Sequence, residues 1–200
     1  LMEPMGVIAE AQQLAAKARR VLRDAQGIEV EIQSGHRERF DRVAIATHAD
    51  QALALLDDPT DNERHLLGAF KYSKNHAVLH GDANVMPRRR RVWASWDYAG
   101  GADRNAPLQV TYWMNALQSL DPRLPLFLTL NPAKAPAQAH ASFAYPHPQC
   151  DAAALLAQRR LWQLQGRRNT WFCGAYFGYG FHEDGLQAGL AAAENMGGLR

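Results

Sequence analysis

The sequence predicts an α/β lobe assembled from both ends of the chain, joined to an α+β lobe built on an antiparallel sheet. Three observations carry this reading. Residues 1–50 run as a helix, a three-stranded meander and a central strand. Five strand candidates crowd between residues 76 and 147. The chain then closes on "TWFCGAYFGYGFHEDGLQAGLAAAE": a short apolar strand, a loop of aromatics and glycines, and a helix of small residues. The expected division is 1–50 and 168–200 for the first lobe and 51–167 for the second.

Residues 7–18 place Val7, Ile8, Ala11, Leu14, Ala15 and Ala18 at helical spacing. "RVLR" begins a strand at Arg20, and "DAQG" turns with glycine last. "IEVEI" (28–32) alternates apolar and acidic residues, as a half-buried strand does. After the "SGHRE" turn, "FDRVAIAT" (40–47) ends in a near-continuous apolar run, which suits a strand buried on both faces. "HADQALALL" (48–56) predicts a helix with Asp50 as N-cap, and "DDPTDNERHLLGAF" a turn at Pro59 before a second short helix.

The middle changes character. "HAVLH" (76–80), "RVWASWDY" (91–98), "VTYWMNAL" (110–117), "LFLTLN" (126–131) and "ASFAYPH" (141–147) are rich in aromatic and β-branched residues. Pro and Gly punctuate them, which predicts a mostly antiparallel sheet. "DAAALLAQRRLWQLQG" (151–166) reads as a helix capped by Asp151 and stopped by Gly166.

Two hundred residues suffice for one sizeable core or two small lobes. Apolar residues at 47% and charged residues at 21% fit a folded globular chain. A net charge of +2 makes no case for nucleic acid. Cys150 and Cys173 lie far apart without a CxxC, which favours a reduced, cytoplasmic setting over a disulfide framework. No apolar run reaches membrane-spanning length and the opening lacks a signal-peptide pattern, so any membrane contact is expected to be peripheral. "LMEPMGVIAEAQQ" runs directly into a helical pattern, as a segment of a longer protein would.

The closing stretch carries the chemistry. Gly178, Gly180 and Gly185 do not have the GxGxxG interval of a dinucleotide loop, so if the protein binds a dinucleotide the pyrophosphate loop is expected outside this chain. The first-turn amides of a helix have no partner inside it and form the positive end of its dipole. They can hold a carbonyl or a phosphate without a charged side chain. Ala188, Gly189, Ala191 and Ala192 let this helix lie close to a sheet or a cofactor. Leu186, Leu190 and Ala193 share one face, and Glu183 and Asp184 are placed to cap the start. An ordinary core helix capped by its own acids fits the same residues.

This stretch resembles the C-terminal FAD-binding signature of the flavin-containing amine oxidase superfamily, which includes protoporphyrinogen oxidases and carotenoid-type desaturases. That signature is a strand, a Gly turn, a loop, a "GxxEGAxxSG"-like segment and a small-residue helix. Here "WFCG" supplies the strand, with Gly174 as the turn. "GFHEDGLQAG" aligns without a gap through Gly180, Glu183 and the Ala188–Gly189 pair. "GIEVEIQSGHRERFDRVAIATHADQALALL" resembles the superfamily's meander and its "VIxAxPP" strand end. The pairing of "ATHADQALALL" with "CGAYFGYGFHEDGL" is similar to a bacterial group described as predicted NAD/FAD-binding oxidoreductases. The likeness runs from about residue 20 onward.

The resemblance implies a partial Rossmann-like FAD-binding lobe, an antiparallel-sheet substrate lobe, and a missing N-terminal half that carries the GxGxxG. It implies FAD contacts at Ala18 near the adenine, at Ala46 and Thr47, and at Gly174, Ala175 and Tyr176. Further contacts are implied at Gly180, Phe181, His182, Glu183, Asp184, Gly185 and Leu186. Amides from His182 to Leu186 would face the flavin pyrimidine carbonyl, and Phe181 would form one wall of an aromatic cage. Ala175 stands where the superfamily carries an acid, so contact there would be through backbone. "THAD" replaces the usual Pro-Pro. The implied activity is hydride removal from a substrate C–H or C–N bond to flavin N5.

No side chain stands out as acid or base. His80 and His182 are the two candidates for tuning flavin charge or moving a proton, although a satisfied or exposed histidine is the plainer reading of each. His48, His80, His140, His147 and His182 lack HxH or HxxxH spacing, so no metal is expected. Arg88–Arg91 read as a solvated turn; anionic lipid or an acidic substrate are other partners for such a run, and the overall charge balance disfavours nucleic acid. Trp93, Trp96, Tyr98, Tyr112 and Trp113 read as sheet core. Alternatively they line an apolar substrate cavity between the lobes, which suits a lipid-like substrate better than a small polar amine. Two rivals stay open: a non-catalytic α+β binding or scaffold protein, and one subunit of a two-chain flavoenzyme.

Overall fold

A computed structural model describes residues 17–100 and 108–198. The helix expected over 7–18 lies outside these residues except at its end, where Ala18 instead begins a strand. The described residues form two compact units. One holds the residues up to Lys71 and those from Pro148 onward; the other is Tyr72–His147. The expected second lobe of 51–167 is therefore narrowed, because the helices flanking the sheet pack with the first unit.

The first unit opens with an antiparallel meander of β1 (Ala18–Asp24), β2 (Gly27–Ile32) and β3 (Arg37–Phe40). Its first turn works as the sequence suggests. The Gln26 amide donates to the Asp24 carboxylate at 2.8 Å, and Gly27 takes φ +130°, open to glycine. The apolar run after β3 makes only a short strand, β4 (Val43–Ile45). It pairs in parallel with β10 (Thr170–Phe172), setting Val43 opposite Thr170 and Ile45 opposite Phe172. Ala44 and Ala46 are exposed, so β4 is not covered on both faces as its composition suggested.

Helix α1 (Ala49–Leu55) is capped by His48 rather than Asp50, which lies in the first turn. Helix α2 (Asp61–Leu67) starts on a reciprocal box: the Glu63 amide donates to Thr60 Oγ1, and the Thr60 amide donates to Glu63 Oε2.

The second unit is a five-stranded antiparallel sheet of β5 (Lys71–His80), β6 (Trp96–Ala99), β7 (Gln109–Trp113), β8 (Phe127–Leu130) and β9 (Ala139–Gln149), in the order β6-β7-β8-β5-β9. Two strand candidates are shorter than expected. The first half of "RVWASWDY" is a single tight turn, Arg90–Val92. "VTYWMNAL" turns after Trp113 into the short α3 (Met114–Leu117). Asn115 causes that turn: its side chain donates to the carbonyls of Asp121 and Leu124 and accepts from the Leu126 amide.

Register sorts the sheet into two faces. Thr111, Thr129 and His80 share one face with Phe127 and Val78, and all five are buried. Trp96, Tyr98, Val110, Tyr112, Leu128, Leu130 and Leu79 share the other. None of these seven is fully buried, although Ala77, opposite Leu130 on the same face, is. The polar face is thus the covered one, and the apolar face is left half-open.

Back in the first unit, α4 (Ala152–Gln158) starts on Asp151, whose carboxylate accepts the Ala154 amide at 2.8 Å. The helix stops at Gln158 rather than Gly166, and one tight turn (Leu161–Leu164) follows. The last helix, α5 (His182–Asn195), begins two residues earlier than its acids suggested. Trp171 and Cys173 point to one side of β10 and pack against Ala188 and Ala192. Leu186 stands 64% exposed. The buried face is the small-residue face that the sequence offers for close packing, because small side chains let the helix lie close to the strand.

Candidate functional site

The parallel pairing of β4 and β10 brings two chain segments together at their C-terminal ends. The ladder runs one bond past β10, the Cys173 amide donating to the Ile45 carbonyl at 3.1 Å. The chain then turns at Gly174, φ +153°. A Cβ there would lie 2.7 Å from the Tyr176 ring and 3.3 Å from the Thr47 carbonyl, so only glycine fits between them. Gln165 guards the free edge of β10. Its amide donates to the Phe172 carbonyl at 2.7 Å and accepts from the Phe172 amide at 2.9 Å, standing in for a neighbouring strand.

The loop from Gly174 to Phe181 is held from several sides. The Gln158 amide donates to the carbonyls of Tyr176 (3.0 Å) and Gly178 (2.6 Å). Buried Tyr176 meets Phe70 edge-on, with ring centroids 5.4 Å apart. Asp184 accepts the Phe181 amide at 2.9 Å and fills the space a side chain at Gly178 would need. Glu183 does not share in this cap; it accepts from Gln187 at 2.6 Å along the helix. At the far end of α5, Trp171 Nε1 donates to Asn195 Oδ1 at 2.7 Å, and Arg42 donates to the Met196 carbonyl, a cation at the negative end of the dipole.

The start of α5 is therefore fixed, and it is open. Tyr179, Phe181 and Leu186 are 87%, 70% and 64% exposed. A Cβ at Gly180 or Gly189 would meet nothing within 4 Å. The amides of His182, Glu183 and Asp184 lie in the turn where a helix offers no internal acceptor. A flat, electron-rich group has room beside them.

The sequence-expected residues divide clearly. Thr47, Gly174, Ala175, Tyr176 and Gly185 come together at the strand ends, and a Cβ at Gly185 would lie 3.7 Å from the Ala175 amide nitrogen. Ala18 joins Thr47 in lining a cleft of about 760 Å³ between β1 and α1, with Arg19, Gln51 and Leu55. Ala46 is exposed just after β4, and exposed His182 opens α5. His80 lies in the other unit, fully buried. Its Nε2 is 2.8 Å from Thr129 Oγ1, and its Nδ1 accepts the Asp82 amide at 3.1 Å. Burial pushes its pKa below the ordinary value against the weaker pull of the Asp82 charge, so it sits neutral as a satisfied core residue. Cys173 is buried against α5, and burial pushes its thiol up, away from nucleophilic chemistry.

Sequence reasoning missed the support beneath the site. Arg23 is buried with Glu63, donating to Oε1 at 2.5 Å and Oε2 at 2.9 Å, and also donates to Asp58 at 3.1 Å. Arg168, just before β10, donates to Asp58 and to the Arg23 carbonyl. These contacts tie the meander, the α1–α2 loop and the approach to β10. A "TxxE" box at Thr60 was the only local signal of them.

No protein-family model matches the sequence, and no curated protein sequence matches it. Solved structures do. The chain is similar to a fatty acid isomerase from P. acnes that produces CLA, with a TM-score of 0.62 at 14% identity over 90% of this chain and 47% of that one. It is similar to a protein described as a protoporphyrinogen oxidase from Exiguobacterium sp. 255-15, with a TM-score of 0.63 at 9% identity over 90% and 46%. It is also similar to reduced UDP-galactopyranose mutase, with a TM-score of 0.60 at 12% identity over 91% and 47%. The chain shares the fold of these three structures over about nine-tenths of its length. The chain spans about half the length of each of these structures.

Proposed function

We propose that the chain is the C-terminal part of an FAD-dependent oxidoreductase acting on an apolar, lipid-like substrate. The observation that carries the cofactor is the open, rigidly held start of α5 beside the paired ends of β4 and β10. The residues there fit FAD: exposed aromatic and aliphatic side chains to cover a ring, free-turn amides to meet its carbonyls, and Thr47 and Ala18 lining one cleft. When bound, FAD would take a hydride from a C–H or C–N bond of the substrate and pass the electrons to oxygen or another acceptor.

The chain's own groups have three tasks. First-turn amides of α5, from His182 on, favour negative charge at the group they face. Phe181, Tyr179 and Leu186 keep water from it. The loop from Gly174 to Phe181, pinned by Gln158 and Asp184, fixes the position of both. The phosphate grip is assigned to a segment outside this sequence, since no GxGxxG occurs in it. The half-open face of the second unit's sheet supports the substrate class. Its seven apolar and aromatic residues carry no charge to attract a small amine.

The test is the visible spectrum of the protein expressed from its full reading frame. Flavin bands, with FAD released on denaturation, support the reading. A colourless, folded protein that takes up no added FAD overturns it and leaves the binding-protein alternative. Anaerobic flavin reduction by a panel of unsaturated lipids and simple amines tests the substrate class, and rapid reduction by amines alone would sink the lipid assignment.

A further inference from the structure

We propose that the arginine loop Arg88–Arg91, with the edge strand that follows it, docks the protein on an anionic lipid surface. The loop is anchored at both ends. Met86 is buried, and the indole N–H of Trp93 donates to the Pro87 carbonyl at 2.7 Å. The Trp93 ring packs edge-on against Trp113 and Phe127 at centroid distances of 5.3 and 5.8 Å. Between these anchors all four arginines are exposed. Arg90 lies 5.3 Å over the Trp93 ring, and among the described residues no acid forms an ion pair with any of the four.

The exposed run continues to Ala99, broken only by Trp93 and Asp97. It carries Val92, Trp96 and Tyr98 at 58%, 59% and 55% exposure. Guanidinium groups followed along the chain by exposed valine, tryptophan and tyrosine supply the groups that meet the boundary of a bilayer. Cations meet lipid phosphates, amphipathic rings sit at headgroup depth, and the aliphatic side chain enters the acyl layer.

Single-stranded nucleic acid would engage the same cations and rings. Lipid is favoured because Trp96 and Tyr98 also begin the half-open apolar face that runs through Tyr112 to Leu128 and Leu130. A hydrocarbon chain leaving a bilayer there would stay in apolar contact, whereas a nucleic-acid backbone would not. No helix among the described residues is long and apolar enough to cross a membrane, and the proposed contact is a peripheral one. The docking needs no cofactor and stands apart from the flavin reading.

The test is co-sedimentation of the full-length protein with vesicles of phosphatidylcholine alone and of phosphatidylcholine with phosphatidylglycerol, at low and high salt. Binding is expected only to the anionic vesicles and is expected to weaken with salt. Each arginine near such a surface contributes about fivefold, so replacing Arg88, Arg89 and Arg91 by Ala should weaken binding roughly a hundredfold. Trp96→Ser should weaken binding several-fold while keeping its salt dependence. As a readout independent of folding losses, native tryptophan emission should shift to the blue on anionic vesicles and shift less in Trp96→Ser. Equal sedimentation with both vesicle types, wild-type binding by the triple variant, or binding to single-stranded DNA without binding to vesicles would each overturn the proposal.

Discussion

The two units bury polar groups in opposite ways. The first buries an ionised cluster, with Arg23 held by Glu63 and Asp58. The second buries a neutral chain, in which Thr111 Oγ1 lies 2.9 Å from Thr129 Oγ1 and that hydroxyl lies 2.8 Å from His80 Nε2. Burying a charge is costly unless nearly every donor and acceptor is met. Glu63 meets that condition: its Oε2 accepts from Arg23 Nη2, the Thr60 amide and Thr60 Oγ1. The neutral chain needs far less. A hydroxyl both donates and accepts, so Thr129 can join two groups without any charge to neutralise. The ionised cluster ties distant segments into one approach to β10, and the neutral chain fixes the covered face of a sheet.

Breaking the ionised cluster should produce the largest effect. Glu63→Ala leaves Arg23 charged and buried without its main partner, and should cost about 3–5 kcal/mol in urea unfolding. The double variant Arg23→Met with Glu63→Leu should recover most of that loss, because a well-packed apolar pair removes the stranded charge. A double variant as unstable as Glu63→Ala would mean that the cluster's hydrogen bonds, rather than charge burial, set the stability.

Breaking the neutral chain should cost less. Thr129→Val keeps the shape but leaves His80 Nε2 and Thr111 Oγ1 without their partner, at about 1–3 kcal/mol. The two clusters should also separate by pH. Burial alone would raise the Glu63 pKa, but hydrogen bonds from Arg23 and Thr60 outweigh it and hold the group below its ordinary 4.5. Its contribution is complete above that value and is lost as pH falls through the lowered folded pKa. Burial likewise holds His80 below its ordinary 6.5, so its contribution is complete above 6.5 and is lost as pH falls toward its folded pKa. Unfolding measured from neutral to acid pH should therefore weaken in two windows, with His80→Gln removing only the upper one. A single window near 4.5 would place His80 in a less buried setting than its geometry indicates.

Much of this was legible locally. Asp151 as a cap, the Asp24–Gly27 turn and the strand–turn–helix after Thr170 follow from short-range chemistry, and the structure forms all three. The resemblance rested on that closing stretch together with the meander and strand end of residues 27–56. Other features were hidden for a physical reason. The cluster joins Arg23 to Arg168 across 145 positions, and no window of sequence contains both. The half-open face of the sheet depended on register, which composition does not specify.

The smallest expected effect sharpens the contrast from the other side. Arg39 donates to both carboxylate oxygens of Asp24, at 3.1 and 2.7 Å, a fork as well formed as that of Arg23 on Glu63. Its side chain and that of Asp24 are nearly half exposed. Water already solvates both ions, salt screens their attraction, and ordering two long side chains offsets what is left. Arg39→Ala should leave the urea midpoint where it is at neutral pH, at both low and high salt. If the geometry of the fork, rather than its burial, made the Arg23 pair strong, this substitution would shift the midpoint as much as Thr129→Val does. The two forks differ in access to water and in the Thr60 and Asp58 bonds that accompany burial, so their comparison sets a buried, fully partnered ion pair against an exposed one.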